Sequence, residues 1–318
     1  MHVNKPAFSR GSHISMPMSV HQRVSSLLTG ISAIPVTPFD GDDAIDFEEL
    51  AKVVARITDA GIELIIACGN TAEYSSLTQA EVFDVTAATI AAAPGASTLV
   101  GVGGDLRTAL EIVTFASNLG AAGFMVHAPS HAYVSDNGLI DYYRAIAETA
   151  DLPVVVYIRG QELSSSVMDR LVSLENVVGV KYARRDLMGF ARLVEDFGSQ
   201  IVPVCGLAES WAPYFWLAGG RGFTSGLVNV APGLSVKLLD ALTAGDYATA
   251  RRHWLLIKPF EQIRERNNDA LNVPAVKEAM RQRGYIQNAS VRPPISSMSP
   301  DESAELSAVL SSWDEAGE

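Results

Sequence analysis

The sequence predicts an α/β protein, a (β/α)8 TIM barrel with a C-terminal helical appendage. Between residues 27 and 244, apolar runs alternate with amphipathic helical segments, giving eight strand–helix units. The strand segments are apolar along their whole length, as parallel strands covered by helices usually are. Eight units in this length fit one closed barrel better than two smaller domains. An open, doubly wound sheet would need a glycine-rich loop after its first strand, where this chain has Pro35 and Pro38.

Apolar runs bounded by turn residues and capping motifs define the elements in order. The predicted strands are 31–36, 64–68, 98–102, 123–127, 153–158, 177–181, 201–205 and 222–226. Asp46 with Glu49, and Thr78 with Glu81, have the spacing of capping boxes at helix starts. Gly61 is placed to end the first of these helices. The later barrel helices are predicted at 105–119, 137–149, 164–173, 187–197, 209–218 and 232–244.

The chain is therefore divided into three parts. Residues 1–26 are polar, lack the apolar core of a signal peptide, and are expected to be a flexible extension outside the fold. Residues 27–244 form the barrel. Residues 245–318 are expected to be helical, with helices at 247–266, 273–282 and 300–311.

Composition restricts the partners of the protein. The net charge of −12 argues against a nucleic acid or an anionic membrane surface. No apolar run approaches the roughly 18 residues of a membrane span. Cys68 and Cys205 lie in apolar strand segments and are interpreted as core residues of a reducing compartment. A reducing compartment indicates a cytoplasmic protein. No spacing typical of a metal site occurs, so we expect no metal.

A lysine and a tyrosine end neighbouring predicted strands. Active sites of (β/α)8 barrels lie at the carboxyl ends of the strands, where Tyr157 and Lys181 are expected to face one cavity. Burial lowers the pKa of an amine, and a neutral amine is a nucleophile toward carbonyl groups, while a phenol can transfer protons. The pair therefore suits imine chemistry. Taken alone, Lys181 could equally mark where a strand meets solvent, and Tyr157 could be a core aromatic residue.

Several segments, in the right order, resemble the dihydrodipicolinate synthase / N-acetylneuraminate lyase family of class I aldolases. Residues 69–73 (GNTAE) resemble the G-[TSN]-T-G-E signature of that family. Residues 154–157 resemble the strand with the catalytic tyrosine, and residues 179–181 the strand with the imine-forming lysine. Further matches are found at 35–39, 220–226, 229–232 and 291–294, so the resemblance spans about residues 28 to 311.

The resemblance implies roles for individual residues. Lys181 would form an imine with C2 of a 2-oxo acid, and Tyr157 would relay protons. Thr71, with the backbone of its loop, would bind the substrate carboxylate, and Arg159 is a candidate for a distal carboxylate of a diacid. The other expected substrate-binding residues are Asn70, Ala72, Ser225 and Gly226. No cofactor is implied, because the imine replaces the metal of class II aldolases, and a homotetramer built as a dimer of dimers is expected.

Departures from the family pattern narrow the prediction. Ala72 replaces the signature glycine, and residues 129–133 replace a tyrosine pair of the synthases. Glu162 lies in the region where the synthases have an arginine that binds the carboxylate of the second substrate. Residues 157–159 and 291–294 look more like the 5-dehydro-4-deoxyglucarate dehydratase branch, whereas residues 182–185 depart from the pattern of that branch. Within this last segment, Arg184 and Arg185 are interpreted as surface charges. We expect a Schiff-base-forming sugar-acid dehydratase. A pyruvate-dependent aldolase or synthase, like N-acetylneuraminate lyase or dihydrodipicolinate synthase, and a non-catalytic 2-oxo acid binding protein remain the alternatives.

Overall fold

Eight parallel strands close into a barrel in the computed structural model, which describes residues 18–129, 131–160 and 163–317. Each strand pairs with the next in sequence, and the first pairs with the last. The strands are β1 (Ile31–Ala33), β2 (Leu64–Ala67), β3 (Ser97–Val102), β4 (Gly123–Val126), β5 (Val154–Arg159), β6 (Val177–Ala183), β7 (Val202–Cys205) and β8 (Gly222–Ser225). The predicted TIM barrel is confirmed.

The helices follow the strands as predicted. They are α1 (Val20–Leu27), α2 (Phe47–Asp59), α3 (Gln79–Ala92), α4 (Leu106–Asn118), α5 (Asp136–Thr149), α6 (Ser165–Val172), α7 (Leu187–Phe197), α8 (Ala208–Leu217), α9 (Pro232–Thr243), α10 (Tyr247–Arg264), α11 (Arg266–Asp269), α12 (Asn272–Gln282) and α13 (Pro300–Glu315). Thr78 and Glu81 form the predicted capping box. Asp46 caps α2, but the Glu49 carboxylate accepts a hydrogen bond from the backbone N–H of Gln287 at 2.8 Å instead of completing a box.

Helix α1 corrects the prediction that residues 1–26 lie outside the fold. Ser19 caps it in a capping box, and Val24 and Leu28 are buried in one apolar cluster with the inward-facing Leu64 and Leu99. Leucine and valine here remove apolar area from water at the amino-terminal end of the barrel, so α1 closes that end. Residues 1–17 of the predicted extension lie outside the described residues.

The C-terminal helices are packed against the barrel. Helix α10 contacts α8 and α9, while α12 contacts the short turns that follow β2 and β8. Helix α13 packs on α10, where the indole N–H of Trp313 donates to the carbonyl of Leu256 at 2.9 Å. Within the described residues, no helix has both the length and the apolar character needed to cross a membrane. Cys68 and Cys205 are buried free thiols, as predicted.

Candidate active site

Lys181 lies inside the barrel with 3% of its surface exposed. Strand β6 continues two residues beyond the predicted end, because Tyr182 and Ala183 still pair with β5. The amine nitrogen lies 3.7 Å from the sulfur of Met125 and 4.3 Å from the centre of the Tyr157 ring. Neither contact supplies a negative charge. Burial, reinforced by the positive charge of Arg159, lowers the pKa of Lys181 to about 7. A large share of this amine is therefore neutral near neutral pH.

Tyr157 stands beside Lys181 on the neighbouring strand, where the two residues are partners in the register of β5 and β6. Its hydroxyl accepts a hydrogen bond from the side-chain amide of Asn70 at 3.0 Å. Burial raises the pKa of Tyr157, an effect partly offset by Arg159 and by the Asn70 hydrogen bond. The phenol therefore stays protonated and retains a proton to donate inside the cavity.

A cleft of about 840 Å³ opens above these two residues at the carboxyl end of the strands. Its lining includes six of the eight predicted site residues, namely Asn70, Thr71, Tyr157, Arg159, Lys181 and Gly226. Thr71 is buried in a 3-10 turn after β2, and a methyl group added to Gly226 would lie 3.2 Å from its Cγ2. The two residues are therefore close neighbours in the lining of the cleft.

The other two predicted residues, Ala72 and Ser225, do not line the cleft. The backbone N–H of Ala72 donates to the carbonyl of Gly69 at 3.0 Å, and its carbonyl accepts from the Thr37 hydroxyl at 2.8 Å. The Ser225 hydroxyl donates to Glu209 at 2.5 Å, on the outer side of β8. Successive residues of a strand face opposite sides, so Thr224 and not Ser225 faces the cleft. Ala72 and Ser225 are therefore not among the lining residues of the cleft, and their assignment as substrate ligands stays a prediction.

Arg159 ends β5 at the rim of the cleft, with half of its side chain exposed. One of its guanidinium nitrogens lies 3.7 Å from the Asp269 carboxylate. Arg185, which we expected on the outer surface, also lines the cleft and contacts the same carboxylate. Glu162, one of the departures from the family pattern, lies outside the described residues.

Glu73 holds the loop after β2 in place. Its carboxylate pairs with the Lys277 amine of α12 at 2.5 Å, with both side chains fully buried, and accepts from the backbone N–H of Arg292 at 3.1 Å. Burial lowers the pKa of Lys277 to about 8, although the Glu73 charge acts in the opposite direction. These contacts give Glu73 a structural role.

Arg292 anchors the segment that follows it in the chain, and this segment forms one wall of the cleft. Its guanidinium donates two hydrogen bonds to Glu81, at 2.7 and 2.9 Å, and one to Asp43 at 3.0 Å. It also lies over the ring of Phe39, 4.2 Å from the ring centre. Residues 294–296 line the cleft directly after this anchor. A bidentate arginine with several partners is a strong tether, so this wall is held to the barrel.

A buried charged cluster behind Gly226 was missed by the sequence prediction. Arg264 is 2% exposed and donates to both oxygens of Glu261 at 2.6 and 2.9 Å. It lines the cleft beside Gly226, and the nearby Glu209 has its pKa raised to about 7 by burial and by the charge of Glu261. The sequence did contain a signal for this ion pair, because Glu261 and Arg264 are polar residues three positions apart on the apolar face of α10.

A second cavity of about 540 Å³ adjoins the cleft at Asn70, Tyr157 and Arg159. His127 lines it, stacks on Tyr74 with ring centres 4.6 Å apart, and has its pKa lowered to about 4 by burial and by Lys181. The imidazole is therefore neutral. In residues 18–129, 131–160 and 163–317, no cluster of three or more His, Cys, Asp or Glu side chains is arranged to hold a metal.

A buried amine next to a phenol, at the carboxyl-terminal mouth of a (β/α)8 barrel, is the arrangement of a class I, imine-forming enzyme. Residues 27–313 match the dihydrodipicolinate synthetase family, and the chain belongs to that family. The protein is accordingly a carbon–oxygen or carbon–carbon lyase of the class I type.

The chain is similar to relatives with two kinds of name, synthases and a dehydratase. It is 28% identical to a 4-hydroxy-tetrahydrodipicolinate synthase of Methanococcoides burtonii, over 89% of this chain and 98% of that protein. It is 29% identical to a probable 5-dehydro-4-deoxyglucarate dehydratase of Bacillus subtilis, over 91% and 95%. The solved structure of dihydrodipicolinate synthase from Bacillus clausii is 40% identical, with a TM-score of 0.87 over 92% of this chain and 99% of that one.

Proposed function

We propose that the protein is a Schiff-base-forming lyase in which Lys181 attacks the C2 carbonyl of a 2-oxo acid. The observation that carries the proposal is the buried Lys181 amine, whose pKa is lowered to about 7 next to the Tyr157 phenol. An ordinary lysine with a pKa of about 10.4 is almost entirely protonated at neutral pH and therefore not nucleophilic. Lowering the pKa of Lys181 by burial supplies the nucleophile without a cofactor.

The chemical steps follow from these two groups. The neutral Lys181 amine adds to the carbonyl carbon to give a carbinolamine, and the carbonyl oxygen takes up a proton from Tyr157. The carbinolamine nitrogen returns one proton to the phenolate, and the re-formed phenol donates it to the hydroxyl group. The nitrogen lone pair then expels that hydroxyl as water, which leaves the iminium beside the Tyr157 phenolate. The iminium withdraws electrons from C3 and so permits loss of a proton, or cleavage of a bond, at that carbon.

The cleft provides a place for the substrate carboxylate next to this carbon. We assign the carboxylate to the Thr71 hydroxyl and the polar groups near Gly226, since both residues line the cleft and lie close together. Asn70 is assigned a positioning role, because its amide donates to the Tyr157 hydroxyl and fixes that hydroxyl in the cavity. The buried Arg264 adds positive charge on the same side.

For the substrate we propose a sugar-derived diacid, with dehydration as the reaction. Arg159 at the rim offers a guanidinium to a second carboxylate, and one relative is named a probable 5-dehydro-4-deoxyglucarate dehydratase. A second candidate is a pyruvate-dependent synthase or aldolase. It is favoured by the solved structures from Bacillus clausii and Oceanobacillus iheyensis, 40% and 36% identical, which are described as dihydrodipicolinate synthases.

Reductive trapping tests the imine. Borohydride added with pyruvate should attach the reduced ligand at Lys181, and peptide mass spectrometry should locate it. Lys181→Ala should abolish the adduct, whereas Lys52→Ala, a change at an exposed lysine on α2, should retain it. The proposal fails if no member of a broad panel of 2-oxo acids gives an adduct.

Product analysis separates the two candidate reactions. With 5-dehydro-4-deoxyglucarate as substrate, a dehydratase releases water together with carbon dioxide, whereas an aldolase releases pyruvate. Mass spectrometry of the products distinguishes these results directly. An adduct at Lys181 without turnover of any tested 2-oxo acid would favour the third possibility, a binding protein.

We also propose a cytoplasmic homotetramer, built as a dimer of dimers and working without cofactor. The support is the family to which the chain belongs and the apolar side chains at its surface, including Met188, Leu217 and Tyr133, which are 68%, 72% and 89% exposed. Light scattering coupled to size-exclusion chromatography tests the subunit count. A monomer at micromolar concentration would contradict it.

A further inference from the structure

One carboxylate at the cleft rim is shared by two arginines. Asp269 accepts a hydrogen bond from Arg185 at 2.5 Å and lies 3.7 Å from Arg159. The side chains of these arginines are 41% and 51% exposed, whereas that of Asp269 is 19% exposed. All three residues line the cleft that contains Lys181. A single negative charge between two guanidinium groups leaves a positive excess that favours a second anion.

The backbone that carries Asp269 has an unusual conformation. Asn267, Asn268 and Asp269 are three consecutive non-glycine residues in the left-handed region, with φ of 51°, 60° and 66°. Asn and Asp tolerate this region better than other side chains, but a run of three still costs free energy. Strain of this kind is typically found where a side chain has to be presented to a functional site. Here the turn directs the Asp269 carboxylate at the two rim arginines.

The rim lies at a suitable distance from the amine. Arg159 is two residues beyond Tyr157 on β5, so the two side chains start on the same face of the strand, roughly 7 Å apart. Tyr157 is itself the register partner of Lys181. A 2-oxo acid bound at Lys181, with its first carboxylate near Thr71, therefore extends its far end toward Arg159 and Arg185.

Other carboxylates of the cleft have different partners. Asp186 caps α7 and accepts from the backbone N–H of Gly189 at 2.8 Å. Glu265 accepts from the Ser210 hydroxyl at 2.6 Å. Asp269 differs from these two carboxylates, because it contacts the rim arginines at the place where the far end of a bound substrate would lie.

We propose that Asp269 acts as an internal stand-in for the distal carboxylate of a diacid substrate. This deepens the proposed function, on which it rests. In the ligand-free protein, Asp269 neutralises part of the charge of Arg159 and Arg185. A diacid displaces it and takes over both arginines, while a monoacid leaves the Asp269 contacts intact. Asp269 and Arg185 are therefore specificity-determining residues, and Asp269 weakens diacid binding by competition.

The test compares two ligands that differ only at the far end, 2-oxoadipate and 2-oxohexanoate. Borohydride trapping at Lys181 is measured against ligand concentration for each, and the ratio of half-saturating concentrations is the preference for a diacid. Asp269→Asn should raise this preference roughly two- to fivefold, the range expected for removal of a partly exposed ionic competitor. Arg185→Gln should lower it about tenfold, because a charge-assisted contact to the ligand is lost.

A matched control makes the same chemical change elsewhere. Asp314→Asn removes a carboxylate that pairs with Arg283 at 2.5 Å outside the cleft, and it should leave the preference unchanged. The preference is a ratio for two ligands trapped at the same Lys181, so a general change of trapping in Asp269→Asn cancels from it. If the preference of Asp269→Asn matches that of Asp314→Asn, the inference is overturned alone. Absence of any adduct in the unchanged protein overturns the imine proposal together with it.

Discussion

Replacing Lys181 with methionine should make the protein more stable while it removes the nucleophile. The pKa of Lys181 is lowered from 10.5 to about 7, chiefly by burial. The two pKa values differ by about 3.5, and each pKa unit corresponds to about 1.4 kcal/mol. The charged amine therefore lowers the free energy of unfolding by about 5 kcal/mol. At pH 7, where about half of the buried amine is neutral, the cost is about 4 kcal/mol. Methionine has a similar volume and no charge, so Lys181→Met should recover most of this free energy.

The sign of the pH dependence follows from the direction of the pKa change. Because the folded-state pKa is lower than the unfolded one, the cost is fully present below pH 7 and disappears as the pH rises toward 10.5. The gain from Lys181→Met should thus fall from about 5 kcal/mol at pH 6 to about 2 kcal/mol at pH 9. With about 2 °C per kcal/mol, the increase in Tm should shrink from roughly 10 °C to 4 °C.

Thermal unfolding of both proteins across this pH range is the assay. Lys52→Met is the matched control, since Lys52 is an exposed lysine paired with Glu48 and its replacement removes no buried charge. It should give a small change in Tm without a trend in pH. A Tm of Lys181→Met that is equal to or below that of the unchanged protein at pH 6, or a gain independent of pH, would refute the reasoning.

Three further changes test other parts of the site. Tyr157→Phe keeps the ring beside the amine and removes the hydroxyl, so trapping of pyruvate should slow by roughly 10²- to 10⁴-fold with little change in Tm; unchanged trapping would exclude the proton relay. Gly226→Ala places a methyl group 2.5 Å from the buried guanidinium of Arg264 and should raise KM about tenfold. Gly233→Ala is the control, because a methyl group there has no atom within 4 Å, and it should leave KM unchanged. Equal KM values for both variants would contradict the assigned carboxylate site. Glu73→Gln leaves the Lys277 ammonium buried without a counter-charge and should cost about 3–5 kcal/mol in unfolding free energy, part of which Lys277→Met should restore; an unchanged Tm would show that the pair is dispensable.

The barrel was predictable because its signals are local. A buried parallel strand is apolar throughout, and a capping residue such as Thr78 satisfies the backbone of the helix that follows it. The pairing of Tyr157 with Lys181 followed from the same pattern, since neighbouring parallel strands end at the same side of the sheet. Helix α1 was missed because a short polar segment gives little periodic signal, although Ser19 and Gln22 have capping-box spacing.

The differences between the predicted and the observed site concern the direction of side chains and contacts between distant segments. Phe223 is buried under the helices, and Ser225 is two residues further along β8, so both point outward. That alternation was available in the sequence. The positions of Asp269 and Arg264 could not be predicted from the sequence. They depend on a left-handed turn and on an ion pair whose environment is formed by other parts of the chain.

The anchoring of Arg292 has a consequence for how members of this family can be recombined. One guanidinium joins the segment after α12 to Asp43, in the loop before α2, and to Glu81 at the start of α3, more than 200 positions away in sequence. The C-terminal region supplies a cleft wall, yet the partners that orient this wall belong to the barrel. A chimera that exchanges only the C-terminal helices between relatives would therefore carry the new wall in an undefined position unless these acidic partners are transferred with it.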